Sequence, residues 1–389
     1  MWSKNTEKER EGVRFFDTVL LIFFAALICV TAAAILFFPQ REFSEIENRR
    51  LQTVSDIDII SDAKSGRLTE KIGDMLSDQF PFRHALTKLK ADIELCLLRH
   101  ENNGVLSGKN GALIPKLEYS ETQMRTLEKS IADIGQFSSY MKERGSRVTF
   151  SAVPRSVDIM VDSLPDIYSP DRAYSARSRL SEAECFFLYD AIEEHGEEYA
   201  WFKTDHHWTA RGAYYAYTEL ANELSFLPVP ISELTPETVS REFFGTSWSK
   251  SGMYRTAPDT IELLRFSSDE SFSVTDAESG KLLLCGLYDL KKLNVKDKYS
   301  VFLGGDYGHI KISDGSKKPR LLVIKDSYFN AIAPFLCRHF ELDVIDLRYY
   351  SGSVAKYAQS TGAKDILILC GIDSLAASPT FSQLMYGIN

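Results

Sequence analysis

Basic charge is in deficit in this sequence: 45 Lys and Arg stand against 54 Asp and Glu, for a formal charge of −9. Such a balance does not suit a phosphate backbone, which excludes nucleic acid as the main partner. Cysteine is sparse as well. Of six, Cys29 falls in an apolar N-terminal run, leaving Cys96, Cys185, Cys285, Cys337 and Cys370. They are an odd set with mostly apolar neighbours, which argues for buried free thiols rather than a disulfide framework. There is no internal repeat or low-complexity segment, and no His or Cys cluster with metal-ligand spacing to join the few histidines. What remains, 389 residues with 44% apolar and 25% charged, describes a globular chain of one large or two ordinary domains.

Only one run is long enough to cross a membrane. Thr18 to Phe38 carries no charge, and as a helix it reaches about 31 Å, the thickness of a bilayer core. The apolar run continues through Ile35, Leu36, Phe37 and Phe38 after the small residues at 31–34, which is long for a cleaved signal peptide and favours a retained anchor. Lys4, Lys8, Arg10 and Arg14 precede it, while Arg41, Arg49 and Arg50 follow. This small positive-inside bias puts residues 1–17 in the cytoplasm and the rest outside.

Residues 39–102 read as a juxtamembrane linker and a helical region, broken at Asp78–Arg83, in which Leu86, Leu89, Ile93 and Leu97 recur as on one buried helix face. Residues 103–389 read as an α/β domain. Asn110-Gly111 signals a hairpin. A helix from about Glu121 to Arg144 leads into a strand at Arg147–Val153 ended by Pro154. From Ala210 to Leu224 the apolar spacing is helical, with Thr209 as N-cap. About 226–318 turns to short alternating runs, read as a β-rich insertion or lid. Strands at 321–324, 342–347 and 365–371, with helices between them, then imply a parallel sheet.

In such a sheet the carboxyl ends of the strands line the ligand crevice. Ser327, in Lys325-Asp326-Ser327-Tyr328, stands at such an end, before a helix whose free N–H groups could stabilise an oxyanion. A serine there can equally be an N-cap. The segment Thr204–Thr209, TDHHWT, offers what a nucleophile needs: a base and a carboxylate to orient it. In an extended segment Asp205 and His207 share one side, and His206 points away as a packed or surface residue. A metal held by Asp205, His206 and His207 fits poorly, because adjacent histidines diverge in an extended chain. A third reading has these aromatic and charged residues merely binding a saccharide.

TDHHWT resembles the signature of the DHHW proteins, which are similar to the alginate O-acetyltransferases of the SGNH-hydrolase-like superfamily. Further segments extend the resemblance: FSEIENRRL (43–51), DQFPFR (78–83), NGVLSGKNGALI (103–114), YAWFKTDHHWTARGAY (199–214), FFGTSWSKSG (243–252), IKDSYFNAIAPFL (324–336) and IDLRYY (345–350). The resemblance implies an SGNH-like fold with a Ser-His-Asp site in which Asp205 orients, His207 is the base and Ser327 the nucleophile. The superfamily's Gly-Asp-Ser is Lys-Asp-Ser here, and its Gly and Asn oxyanion blocks are not found by motif. Tyr328, Asn330 and Arg348 are the substrate or oxyanion candidates, the last two equally readable as a helix-surface amide and a salt-bridged arginine. No cofactor or metal is expected; the resemblance implies O-acetylation of a cell-surface polysaccharide and a multi-pass membrane acyltransferase as donor partner. An acetyl esterase and a non-catalytic polysaccharide-binding or assembly protein are the alternatives.

Overall fold

The computed structural model describes residues 2–47, 49–116, 119–168, 180, 184–377 and 379–388. The chain divides into two compact units, residues 1–93 and 94–389.

In the first unit a helix spans Trp2–Phe37, and its stretch Arg14–Ile35 is long and apolar enough to cross a membrane. After it, β1 (Phe43–Ser44) pairs antiparallel with β2 (Arg49–Arg50). Two of the quoted segments hold one another here. Asp78 accepts from both terminal nitrogens of Arg49 and from the Gln52 N–H, while the Gln79 amide bonds the main chain of Arg41 at both N–H and C=O. Helices follow at Ile59–Lys64, Leu68–Asp78 and Arg83–Cys96. The apolar face expected to be buried on the last of these is open: Leu86 is 46% and Leu97 64% exposed. The periodicity is that of an amphipathic helix, but none of the described residues covers the stripe. Cys96 and Cys285 are exposed too, the first at that helix's end and the second on an outermost strand; Cys337 and Cys370 are buried as expected.

The second unit begins with β3 (Glu101–Asn102), β4 (Val105–Ser107) and β5 (Leu113–Pro115) in an antiparallel sheet. Asn110 and Gly111, both at positive φ, turn the chain between β4 and β5 as the Asn-Gly pair predicts. Then come β6 (Arg147–Val153), β7 (Phe186–Phe187), β8 (Thr235–Phe243), β9 (Asp259–Arg265), β10 (Ser273–Asp276), β11 (Leu282–Cys285), β12 (His309–Ser313), β13 (Arg320–Lys325), β14 (Glu341–Asp346) and β15 (Asp365–Gly371). The central sheet has the order β11-β10-β12-β14-β13-β15-β6-β7. Its half from β14 to β7 is parallel, and β12, β10 and β11 extend it antiparallel. The β-rich segment 226–318 thus joins the main sheet in part. Its later strands continue the main sheet, and only β8 and β9 pair apart from it. Short half-exposed strands lack the apolar runs that mark β13–β15, which is why their pattern reads as irregular.

Alternation along the strands builds two cores. Leu321, Val323, Val344 and Leu367 face the side of the helices Ala210–Leu224 and Phe329–Leu336, whereas Leu322, Ile324, Ile345 and Ile368 face the side of Glu121–Lys142 and Val354–Thr361. This is the α/β arrangement the sequence predicts, a mostly parallel sheet between helical layers. All the parallel strands end at one edge, and Ser327, Arg348 and Asp373 follow the ends of β13, β14 and β15 there.

Candidate active site

The segment Thr204–Thr209 is not extended. It is a bent loop closed by a bridge between Trp201 and Trp208, and Thr209 caps the following helix by accepting from Gly212 N–H. The bend follows from Asp205, whose Oδ1 accepts the N–H of His207 at 3.0 Å, the aspartate's usual way of turning a chain. The same oxygen meets His207 Nδ1 at 2.5 Å. His207 Nε2 lies 2.7 Å from Ser327 Oγ. Ser327 reaches it because it stands one residue beyond Asp326, on the turn that leads from β13 into the helix Phe329–Leu336. The structure thus brings Asp205, His207 and Ser327 into one hydrogen-bonded line.

Residues outside the three hold that line. Asp205 Oδ2 accepts from the N–H of Thr246 at 2.7 Å and from its hydroxyl at 3.0 Å. Gly245 permits this contact, since a Cβ there would overlap Asp205. Thr204 is fixed in turn by Asp259, whose carboxylate accepts from its N–H (2.7 Å) and hydroxyl (2.5 Å). The His207 ring lies flat on Tyr299, centroids 3.9 Å apart and planes 7° from parallel. Sequence reasoning quoted Gly245 and Thr246 within FFGTSWSKSG without giving them a role, and for Tyr299 no local signal exists. Burial by itself would raise the Asp205 carboxyl, but the charges of His207 and His206 and the hydrogen bonds to it hold it below the usual carboxylate range.

His206 does not point away. Because the loop bends, its ring lies beside that of His207, centroids 3.8 Å apart, and its Nδ1 meets Thr246 Oγ1 at 2.6 Å. Although 34% of its side chain is open to solvent, desolvation by the dense surroundings and the neighbouring His207 charge lower it to about 4. Its carbonyl accepts from Trp201 Nε1 and the Tyr328 hydroxyl. Asp205, His206 and His207 have potential ligand atoms within 4.8 Å of one another. A cation there would have to compete with His207 and Thr246 for both carboxylate oxygens.

The other three candidates are committed elsewhere. Tyr328 is buried, its hydroxyl donating to His206 at 2.8 Å rather than facing a substrate. Asn330 is not on the helix surface but buried, accepting from Lys325 Nζ (3.0 Å) and donating to Asp306 (2.9 Å). Arg348 binds Asp346 through Nε (2.9 Å) and Asp306 through a terminal nitrogen (2.8 Å), so its salt-bridged reading holds. Lys325, the residue in place of glycine, is fully buried between Asp306 (2.6 Å) and Asp346 (3.2 Å). Asp326 anchors the adjacent turn, accepting from Gly371 N–H and Ser374 hydroxyl. The amides of Tyr328, Phe329 and Asn330 are all taken by Asp326 or Ser327, which leaves the Ser327 N–H as the amide of this turn without an acceptor among the described residues.

A mostly parallel sheet with a serine after a central strand, faced by a histidine from a distant loop, defines an SGNH-like α/β protein. Over residues 154–346 the chain matches the model of the DHHW protein family. Among solved structures it is similar to a DHHW family protein from Eubacterium siraeum, at 24% identity over 73% of this chain and 95% of that one, TM-score 0.58. It is likewise similar to Bacillus cereus PatB1 with a sulfonyl adduct, at 20% identity over 71% and 97%, TM-score 0.58. A more distant likeness is the O-acetyltransferase domain of Pseudomonas putida AlgJ, at 14% identity over 71% and 93%, TM-score 0.44. No curated protein sequence matches.

Proposed function

We propose that this chain is a membrane-anchored, extracytoplasmic O-acyltransferase that acetylates a cell-surface polysaccharide. The observation that carries the reading is the contact of 2.7 Å between Ser327 Oγ and His207 Nε2, with the opposite ring nitrogen on Asp205. A serine hydroxyl becomes nucleophilic when a base takes its proton as it attacks. Here Ser327 Oγ attacks the donor's acetyl carbonyl and passes its proton to His207 Nε2. Asp205 fixes the ring with Nδ1 protonated and stabilises the imidazolium that forms. The Ser327 N–H faces the carbonyl oxygen as it gains charge. As the bond from the acetyl carbon to the donor's leaving group breaks, His207 returns the proton to that group, leaving acetyl-Ser327. An acceptor hydroxyl then gives its proton to His207 and attacks the ester, and Ser327 Oγ departs and recovers the proton.

Acetyl as the group and polysaccharide as the acceptor come from the resemblance to the alginate O-acetyltransferases. The same resemblance names a multi-pass membrane acyltransferase as the partner that delivers acetyl groups. In this reading the stretch Arg14–Ile35 stays in the membrane and keeps the domain close to that partner, raising their effective concentration. The test is chromosomal replacement of Ser327 by Ala followed by chemical measurement of ester-linked acetate on the envelope polysaccharides. Loss of that acetate with the protein still present at the membrane is expected; unchanged acetate overturns the reading.

A further inference from the structure

We infer that the cavity beside His206 is the acceptor subsite, where a sugar ring of the polysaccharide binds with one hydroxyl paired to Ser247 Oγ. The inference rests on the acyl-transfer reading and adds to it where the acceptor sits. The cavity has a volume of about 280 Å³, and its walls include Tyr119, His206, Thr246, Ser247, Lys250 and Asp373. Ser247 is 2% exposed, and among the described residues its Oγ has no hydrogen-bond partner. Buried hydroxyls are ordinarily paired; Ser247 lines the cavity, and a small turn of its side chain would bring its unpaired hydroxyl to an occupant that supplies the bond. Tyr119 also lines the cavity, its hydroxyl tied to Asp373 at 2.5 Å and the Arg155 guanidinium 5.5 Å over its ring. Lys250, exposed at the rim, has no carboxylate partner among the described residues. An aromatic plane with hydroxyl, carboxylate and ammonium groups around it matches the C–H faces and hydroxyls of a sugar. The volume, near the small end of ligand sites, suits a ring or two rather than a long stretch of polymer.

A second cavity, of about 290 Å³, shares Asp373 and Ala377 with the first and is lined by Lys325, Asp326, Asp346 and Arg348. Its charged groups are already paired or hydrogen-bonded within the protein. The two differ in what they leave open, and only the first holds a buried group lacking a bond. Each is bordered by the neighbour of one reacting residue, the first by His206 beside His207 and the second by Asp326 beside Ser327. A saccharide in the first cavity approaches acetyl-Ser327 from the side of the base. Its hydroxyl proton passes to His207 Nε2 as its oxygen bonds the acetyl carbon, and the released Ser327 Oγ takes that proton back.

The experiment is a titration of the full-length chain in detergent micelles with hexasaccharides of glucose, N-acetylglucosamine and galacturonate, repeated for Ser247→Ala and Lys250→Gln. At least one hexamer is expected to bind with a millimolar or lower Kd, weakened about five- to tenfold by Ser247→Ala and less by Lys250→Gln. Because the hydroxyl is unpaired without saccharide, Ser247→Ala is also expected not to lower the urea midpoint of the free protein, which a structural role would lower. No binding by any hexamer, or equal affinity in wild type and both variants, as when water alone pairs with Ser247, overturns the assignment. Acylation of Ser327 by p-nitrophenyl acetate, followed in parallel, separates the two readings. Acylation with saccharide affinity independent of Ser247 sinks the subsite alone, whereas Ser247-dependent binding without acylation supports the subsite and sinks the transfer reading.

Discussion

The loop Thr204–Thr209 and the strand end Lys325–Asn330 crowd ionisable groups against the same edge of the sheet, and they dispose of them in opposite ways. At the strand end Lys325, Asp306, Asp346 and Arg348 neutralise one another, and Asn330 fills the remaining valences. In the loop, Asp205 has both oxygens filled by His207 and Thr246, yet this pairing leaves a histidine nitrogen facing a serine hydroxyl. The first is a closed network that props the edge; the second directs one nitrogen outward to another element. A substituted lysine where the superfamily carries glycine is thus a structural strut, and the burial of its charge is tolerable because two carboxylates meet it.

That contrast can be broken most forcefully at Lys325. Replacing it by Met leaves Asp306 and the buried Asp346 without their buried cation, and unfolding free energy is expected to fall by about 3–5 kcal/mol in urea titrations. A loss under about 1 kcal/mol would show the network to be incidental. Next is Thr246→Val, which keeps the shape and deletes the hydroxyl's hydrogen bond to the Asp205 carboxylate together with its contact with His206 Nδ1. Hydrogen bonds to charged groups contribute about 1.5–3 kcal/mol, so Ser327 acylation is expected to slow roughly ten- to a hundredfold, with rescue by Thr246→Ser.

The smallest effect is one of pH. His206 is held at about 4, below the histidine value of about 6.5 in the unfolded chain. The unfolded state therefore binds the extra proton as pH falls through that interval, and stability drops between about pH 6.5 and 4. Asp205, depressed in the fold, adds its own loss only at lower pH, below the ordinary aspartate value of about 3.9. His206→Gln should flatten the upper part of the decline in urea midpoints measured from pH 7 to 4.5, and an unaltered slope would remove His206 as its source.

The sequence made legible whatever rests on local pattern. The apolar runs at 321–324 and 365–371 gave the parallel strands; Ser327 could be placed at a strand end, Thr209 at a helix start, and Asn110-Gly111 at a turn. It misled where burial depends on distant partners. Leu86 and Leu97 keep helical spacing but remain exposed, and β10 and β12 look irregular because these short strands carry no continuous apolar run and take their partners from distant segments. Residue type and order single out Asp205, His207 and Ser327, which the fold brings within hydrogen-bond reach of one another. The bend that turns His206 beside His207, the Thr246 clamp and the Tyr299 stack are long-range or conformational facts that no spacing encodes. Residue type makes Tyr328 and Asn330 candidates for a ligand, Asn330 equally a helix-surface amide, but their hydrogen bonds close inside the protein.

The central claim is that Ser327 is a nucleophile driven by His207. Its most direct measurement is peptide mass mapping of the folded full-length chain after brief exposure to p-nitrophenyl acetate, in wild type and His207→Gln. The account predicts an acetyl group on the peptide containing Ser327 in the wild type, formed at least about a thousandfold more slowly in the variant. Acetyl absent from Ser327 in folded wild-type protein, or appearing there equally fast without His207, would contradict it.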